Sequence, residues 1–109
     1  MMTERLNSVL LTLGYPVERL VYTGDAETYF VFYLIYARPA LFADDDNDAV
    51  NYTFGVEIYT KTNYTDLLKR TIGALKASGF TVESVDGEIY EKETKYFHVP
   101  MTVSATEEE

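Results

Sequence analysis

Asn51-Tyr52-Thr53-Phe54-Gly55-Val56-Glu57-Ile58-Tyr59-Thr60 alternates without a break. With Val50 in front, Val50, Tyr52, Phe54, Val56 and Ile58 share one face; Asn51, Thr53, Gly55, Glu57 and Tyr59 share the other. A period of two with one apolar face is the pattern of a half-buried strand. The elements on either side can be read outward from it.

Downstream, Thr65 is placed as an N-cap with Asp66 at the positive helix end. Leu67, Leu68, Ile72 and Leu75 form an apolar helical stripe, with Lys69, Arg70 and Lys76 in water. Gly79 stops the helix at C′. Gly73 lies inside it and costs on the order of 1 kcal/mol against Ala, so close packing on the sheet is expected there. Phe80 to Val85 reads as a short strand and Asp86-Gly87 as a hairpin turn. Glu88 to Lys95 is charged and extended. Tyr96 to Ser104 alternates again, with Phe97, Val99, Met101 and Val103 towards the core. Pro100 cannot donate to a ladder, so the strand needs a free side there. Residues 105–109 are expected to be a frayed acidic tail.

Upstream, Thr28 to Tyr36 is aromatic and β-branched, which predicts a strand. Phe30, Phe32 and Leu34 form one face; Tyr29, Val31, Tyr33 and Ile35 form the other. Both are apolar, so both need cover. Arg38-Pro39 is expected to end its regular pairing, with a brief strand extension over 40–43. Asp44, Asp45, Asp46, Asn47 and Asp48 form a solvated acidic loop. At the N-terminus, Thr3 is placed as a cap for a short helix carrying Leu6, Val9, Leu10 and Leu13. Gly14 and Pro16 end it. Residues 17–27 read as a connector, with Leu20 and Val21 tucked against the core.

The expected fold is therefore α+β in the order α-β-β-α-β-β. It has a mixed or antiparallel sheet of four or five strands, with two helices packed on one face. At 109 residues this is one domain, 1–109. Two short helices cover one sheet face only. Tyr29, Val31, Tyr33 and Ile35 are then expected at a contact with another copy of the chain, since Tyr suits such interfaces; the alternative is that this face is the core and Phe30, Phe32 and Leu34 face the partner.

Eighteen acids against nine bases leave a net charge of −9. That surface repels phosphates and argues against sequence-specific nucleic-acid binding through a basic patch. Solubility alone also accounts for the charge. There are no cysteines, so no thiolate metal site and no disulfide. The longest apolar run, Tyr29 to Ala37, is too short to span a bilayer as a helix, and no signal-peptide pattern leads the chain. No membrane partner is expected.

Catalytic and metal constellations are missing at the level of pattern. The acids of 44–48 alternate as in a calcium loop, but Ala49 and Gly55 occupy the positions that need Gly and an acid. His98 is the single histidine and reads as an ordinary surface residue. Ser8, Ser78, Ser84 and Ser104 have no nucleophile-elbow context. Glu83, Glu88, Glu91 and Glu93 could pair as acid and base, but they lie in a charged, exposed stretch with no pocket signal. No cofactor and no enzymatic activity are expected.

The chain as a whole resembles the tail terminator (tail-to-head joining) proteins of long-tailed bacteriophages. Five stretches carry the resemblance, in order: Leu13-Gly14-Tyr15-Pro16-Val17; Tyr29-Phe30-Val31-Phe32-Tyr33; Asn51 to Thr60; Leu67 to Gly79; and Glu93, Lys95, Tyr96, Phe97 and Val99. The resemblance implies a homo-hexameric ring that caps the tail tube, ends its polymerisation and joins tail to head. It implies a tail tube protein and a head-completion or connector protein as partners, and a place in the virion after assembly in the host cytoplasm. It also implies that Asp44, Asp45, Asp46 and Asp48 reach the ring's channel or a partner. Two alternatives remain open: a small acidic DNA mimic that inhibits a nucleic-acid enzyme, and a neighbouring head-completion protein.

Overall fold

The computed structural model describes residues 2–40 and 49–108. The acidic run 44–48 and the expected extension over 41–43 lie outside the described residues. In chain order the elements are helix α1 (Met2–Leu11), β1 (Val17–Arg19), β2 (Thr28–Pro39), β3 (Ala49–Thr60), helix α2 (Thr65–Ala77), β4 (Thr81–Val85), β5 (Ile89–Glu91) and β6 (Tyr96–Glu108). The fold is α+β. Its single mixed sheet has six strands in the order β1-β2-β3-β6-β4, and β5 joins the free edge of β6.

The alternating stretch is the middle of this sheet. β3 runs antiparallel to β2 from Thr60 to Val50 and antiparallel to β6 from Thr60 to Ala49. Phe54, Val56 and Ile58 lie opposite Leu34, Phe32 and Phe30 on one side and Val103, Met101 and Val99 on the other. All but Leu34 are buried in one cluster with Met2, Leu6 and Leu10 of α1 and Leu67 and Leu75 of α2. Both helices thus feed a single core on one sheet face. Arg5 ties them together: its guanidinium donates to the Ser78 carbonyl and lies 5.3 Å from the centre of the Phe80 ring.

The C-terminus of α2 follows its residues closely. Gly79 takes φ +90°, a backbone conformation that a side chain disfavours. The Phe80 amide then donates back to Leu75 O at 2.9 Å and the Gly79 amide to Lys76 O at 3.2 Å. This is the paired bonding of a Schellman turn, completed by burial of Phe80.

Several elements depart from the sequence reading. Thr3 lies inside α1, not ahead of it, and Leu13 follows the helix end. The Thr65 amide is capped by the Asn63 side chain at 2.8 Å, so Thr65 opens α2 without capping it. The buried line of α2 passes through Thr71, whose hydroxyl donates to Leu67 O at 2.7 Å. Ile72 sits only half-buried beside that line. A helical threonine can satisfy its hydroxyl on the preceding turn, which makes it acceptable in the core.

The expected connector 17–27 contains β1, which pairs in parallel with β2 through Val17–Phe30 and Arg19–Phe32. Three residues are too few to show a period. Leu20 and Val21 do not tuck in; they are 68% and 66% exposed. β2 continues through Arg38-Pro39, which still lie opposite Asn51 and Val50. An edge strand past the end of β1 has no partner needing the proline amide. Ala40 lies past the strand's end, though its amide still reaches Ala49 O at 2.9 Å.

Asp86-Gly87 makes no hairpin. β4 and β5 do not pair with each other; they pair in succession with the same edge of β6. The Asp86 amide donates to Pro100 O at 2.8 Å, so Pro100 faces the step between them, where no donor is required. The hairpin is one element later, between β5 and β6. There Lys95 takes φ +66° and its amide reaches Glu91 O at 2.7 Å. The tail is not frayed either: Thr106, Glu107 and Glu108 continue β6 opposite Asn51, Val50 and Ala49.

Strands of twelve and thirteen residues span about 40 Å. Helices of ten and thirteen residues span about 15–20 Å. The helices therefore cover one end of the sheet, and the molecule measures 52 × 22 × 22 Å. The outer half of β2, from Leu34 to Pro39, is exposed.

Gly73 is exposed and a Cβ there would meet nothing within 4 Å, so the expected close packing is not found. Gly73→Ala should therefore stabilise the fold by about 0.5–1 kcal/mol through helix propensity and lower unfolded-state entropy. Urea unfolding should show a higher midpoint at unchanged slope.

Candidate functional site

The sheet face opposite the helices carries the densest polar cluster of the described residues. It is centred on Glu57, in mid-β3. β2 places Tyr33 and β3 places Tyr59 so that both hydroxyls donate to its carboxylate, Tyr33 to Oε2 at 2.9 Å and Tyr59 to Oε1 at 3.1 Å. From β6, His98 brings Nε2 to 3.1 Å from Oε1. That approach is out of line for a hydrogen bond, and the buried Nε2 has no hydrogen-bond partner. His98 packs against the Tyr59 ring at 4.2 Å between centroids. It is an inward-packed residue, not the ordinary surface histidine of the sequence reading.

Gly55 makes room for this cluster. A Cβ there would fall 2.5 Å from Cζ of Tyr33, so the Tyr33 ring lies flat over Gly55 and reaches Glu57. Around the cluster, Tyr22 stacks on Tyr29 at 4.1 Å. Tyr29 in turn meets Tyr59 and Tyr96 edge-on at 4.7 and 5.4 Å. The Tyr96 hydroxyl donates to Ala26 O at 2.6 Å, and the Ala26 amide donates to the Tyr22 hydroxyl at 3.1 Å. The 22–27 loop is thereby strapped across the sheet.

Of the four residues expected at a subunit contact, Val31 is buried and Tyr29 and Tyr33 are half-buried within their own chain. The chain supplies most of the cover that the sequence reading assigned to a second copy. Ile35 differs. It occupies a register break between Leu34, opposite Phe54, and Tyr36, opposite Thr53. The extra residue turns Tyr36 to the face of Thr53 and leaves Leu34, Ile35 and Tyr36 each 40% exposed or more. The guanidinium of Arg38 stacks 4.4 Å from the Tyr36 ring centre. A shallow cleft of about 300 Å³ opens beside them, lined also by Glu83, Ser104 and Thr106. The four acids Asp44, Asp45, Asp46 and Asp48 lie outside the described residues.

Chemically, the Glu57 cluster is closed. Both carboxylate oxygens are occupied by tyrosine hydroxyls, and hydrogen bonds to a charged acceptor contribute roughly 1.5–3 kcal/mol each. Its effect is to tie β2 to β3 on the face without helices, with His98 of β6 packed against the Tyr59 ring. Sequence reasoning placed Glu57 on this face but assigned it no role. The available signal was an acid at the centre of an alternating strand that follows the tyrosine-rich stretch Tyr29 to Tyr36.

No family model and no curated protein matches this sequence. The backbone does have a match. A chain of the virion of a native gene transfer agent particle has this fold. The two align with a TM-score of 0.58 over 98% of this chain and 91% of that one, at 17% identity. The likeness spans both helices and the whole sheet. No helix of the described residues is long and apolar enough to cross a membrane.

The tyrosine cluster has a pH signature. Burial, then the Tyr96 hydroxyl and the Glu91 charge, push Tyr29 from the ordinary value of 10.0 up to about 12. Burial and then Glu57 push Tyr59 and Tyr33 upward as well. A pKa raised on folding stabilises the fold fully below the unfolded value, and that stabilisation is lost as pH rises through the folded one. Stability should therefore fall between about pH 10 and 12. Tyrosinate absorbance of the folded chain should lag that of the urea-unfolded chain on the same scale; coincident titration curves would contradict the buried cluster.

Proposed function

We propose that this chain is a structural, non-enzymatic virion protein of a tailed phage or phage-like particle. In this reading six copies form a ring that caps the tail tube, ends its polymerisation and joins tail to head. The observation that carries the reading is the end-to-end likeness of the backbone to a chain of a virion particle. The tail-terminator assignment adds the sequence resemblance of five ordered stretches. The Glu57 cluster supports a structural role, since tyrosine hydroxyls occupy both oxygens of its carboxylate and tie β2 to β3. Its partners are other copies of itself, a tail tube protein and a head-completion or connector protein. Its place is the tail end of the virion, reached by assembly in the host cytoplasm.

Within this reading, Ile35 with Leu34 and Tyr36 grips a neighbouring virion subunit. Exposed branched and aromatic side chains on a projecting sheet are costly unless something covers them. Native mass spectrometry of the purified chain, alone and with tail tube protein, tests the proposal. Hexamers, or tube-bound hexamers, are expected. Ile35→Lys should keep the wild-type circular dichroism and lose tail binding by tenfold or more. The charge of −9 favours one rival, an acidic DNA mimic. A mimic would stay monomeric or dimeric, ignore tail tubes and bind a nucleic-acid enzyme.

The resemblance assigns Asp44, Asp45, Asp46 and Asp48 to the ring's channel or to a partner; at the channel wall, like charge would keep DNA from adhering during passage. Changing all four to Asn removes the charge at nearly constant volume. Unchanged stability with reduced joining efficiency is expected, and normal phage yield would leave the loop a solvated connection only.

A further inference from the structure

Leu20 is the most unusual backbone position of the described residues. It takes φ +72°, which is rare for a branched side chain. The Val21 amide donates to Arg19 O at 2.8 Å across it, which makes a positive-φ γ-turn, a strained form. The turn is held in place by the Leu20 amide, which donates to Phe32 O at 2.9 Å. Its product is a knuckle at the β1 edge that shows Leu20 and Val21 to solvent at 68% and 66% exposure. Strain of this kind persists where the surrounding structure over-determines it, and it concentrates at functional sites. Here the strain exposes two apolar side chains that an ordinary turn would have left free to fold in.

The opposite edge of the same sheet has a counterpart. β4 and β5 expose Val85, Ile89 and Tyr90 at 41%, 50% and 51%. Each outer edge strand pairs on one side only, β1 with β2, and β4 and β5 with β6. Both patches have charged neighbours: Glu18 and Arg19 precede the knuckle, and Glu88, Glu91 and Lys92 flank the other edge. Arg19 adjoins the knuckle and has no ion pair among the described residues. Glu88 and Glu91 bracket Ile89 and Tyr90 in sequence. Both β1 and β5 are three residues long, which gives an incoming strand little to pair with. Side chains, not a shared ladder, would then make the contact.

We propose that the Leu20–Val21 knuckle of one copy docks on the Val85, Ile89 and Tyr90 edge of the next copy, with Arg19 facing Glu88 or Glu91. The inference rests on the ring reading and supplies its lateral contact. The two surfaces are different and lie at opposite ends of one sheet. The contact is therefore head-to-tail, and it closes into a ring if the rotation per copy allows. A second copy is the occupant because one chain carries both an apolar edge beside the cation Arg19 and an apolar edge bracketed by the carboxylates Glu88 and Glu91.

The chain has no cysteine, so two exposed positions can be tagged without background. The edges are four strand spacings apart, about 19 Å, far beyond the reach of a disulfide within one chain. Under mild oxidation, the Val21→Cys, Tyr90→Cys double variant should give a covalent ladder ending in a closed species. Each single variant should stay monomeric on a denaturing gel, and their equal mixture should give a dimer and nothing larger. Single variants that cross-link to themselves as well as the mixture does would overturn the head-to-tail contact. So would a double variant that stays monomeric with wild-type circular dichroism. If that variant still binds tail tubes, the virion role survives and only this contact is lost. A wild-type chain that neither self-associates nor binds tubes removes both.

Discussion

Backbone pairing on both sides of β3 is the constraint on which the other elements depend. This strand faces β2 on one edge from Val50 to Thr60 and β6 on the other from Ala49 to Thr60. Its alternation therefore sets the two faces for three strands at once, because directly opposite residues share a face. Phe54, Val56 and Ile58 fix where the helices must lie, and Gly55 and Glu57 fix what can cover the reverse side. A slip of one residue would send every one of these side chains to the wrong face. Register is held at its far end by the Thr28–Thr60 hydroxyl contact at 2.8 Å and in the middle by the Glu57 cluster.

The two faces solve the same problem by different chemistry. The helix side is closed by apolar packing in which Phe30, Phe54, Leu6, Leu10 and Leu75 are fully buried. The other side has no helix to spare, so tyrosines cover it. Their rings lie edge-on or stacked over the sheet, and their hydroxyls reach a carboxylate, a backbone carbonyl or an amide. Tyrosine suits that position because one end is apolar and the other can remain wet. The loop carrying Tyr22 is strapped down by the same means. This makes the reverse face self-sufficient over its middle and leaves unsatisfied apolar surface at the margins: the β2 bulge, the Leu20 knuckle and the β4–β5 edge.

That distribution leaves a sheet stiffened on both faces with apolar side chains at its edges. A net charge of −9 favours solubility of such a surface. The strained turn at Leu20 fits the same pattern, because it spends stability to hold an apolar group out of the core.

Much of the architecture was legible in the sequence because the long elements are strongly periodic. The α+β class, the central strand, the buried Leu6, Leu10, Leu67 and Leu75 of the helices and the buried faces of Phe30, Val99, Met101 and Val103 follow from patterns of two or 3.6 residues, and the Gly79 stop follows from the freedom of glycine. Short or broken elements carry no such period. β1 has three residues, and the bulge at Ile35 shifts the alternation of β2 in mid-strand. Asp86-Gly87 has hairpin chemistry, yet it makes a step, because both flanking strands find the same partner in β6. The strand beyond Ser104 is polar and acidic, so its pairing with Ala49, Val50 and Asn51 could come only from the neighbour. Glu57, His98, Tyr33 and Tyr59 are each unremarkable in the linear order. Their meeting depends on the register of three strands, which brings Glu57 and His98 together across 41 residues of chain. Sequence alone determined which side chains could form a core. Tertiary structure decided which tyrosines cover the reverse face and which apolar groups remain outside, because both depend on how strand edges meet rather than on any local preference.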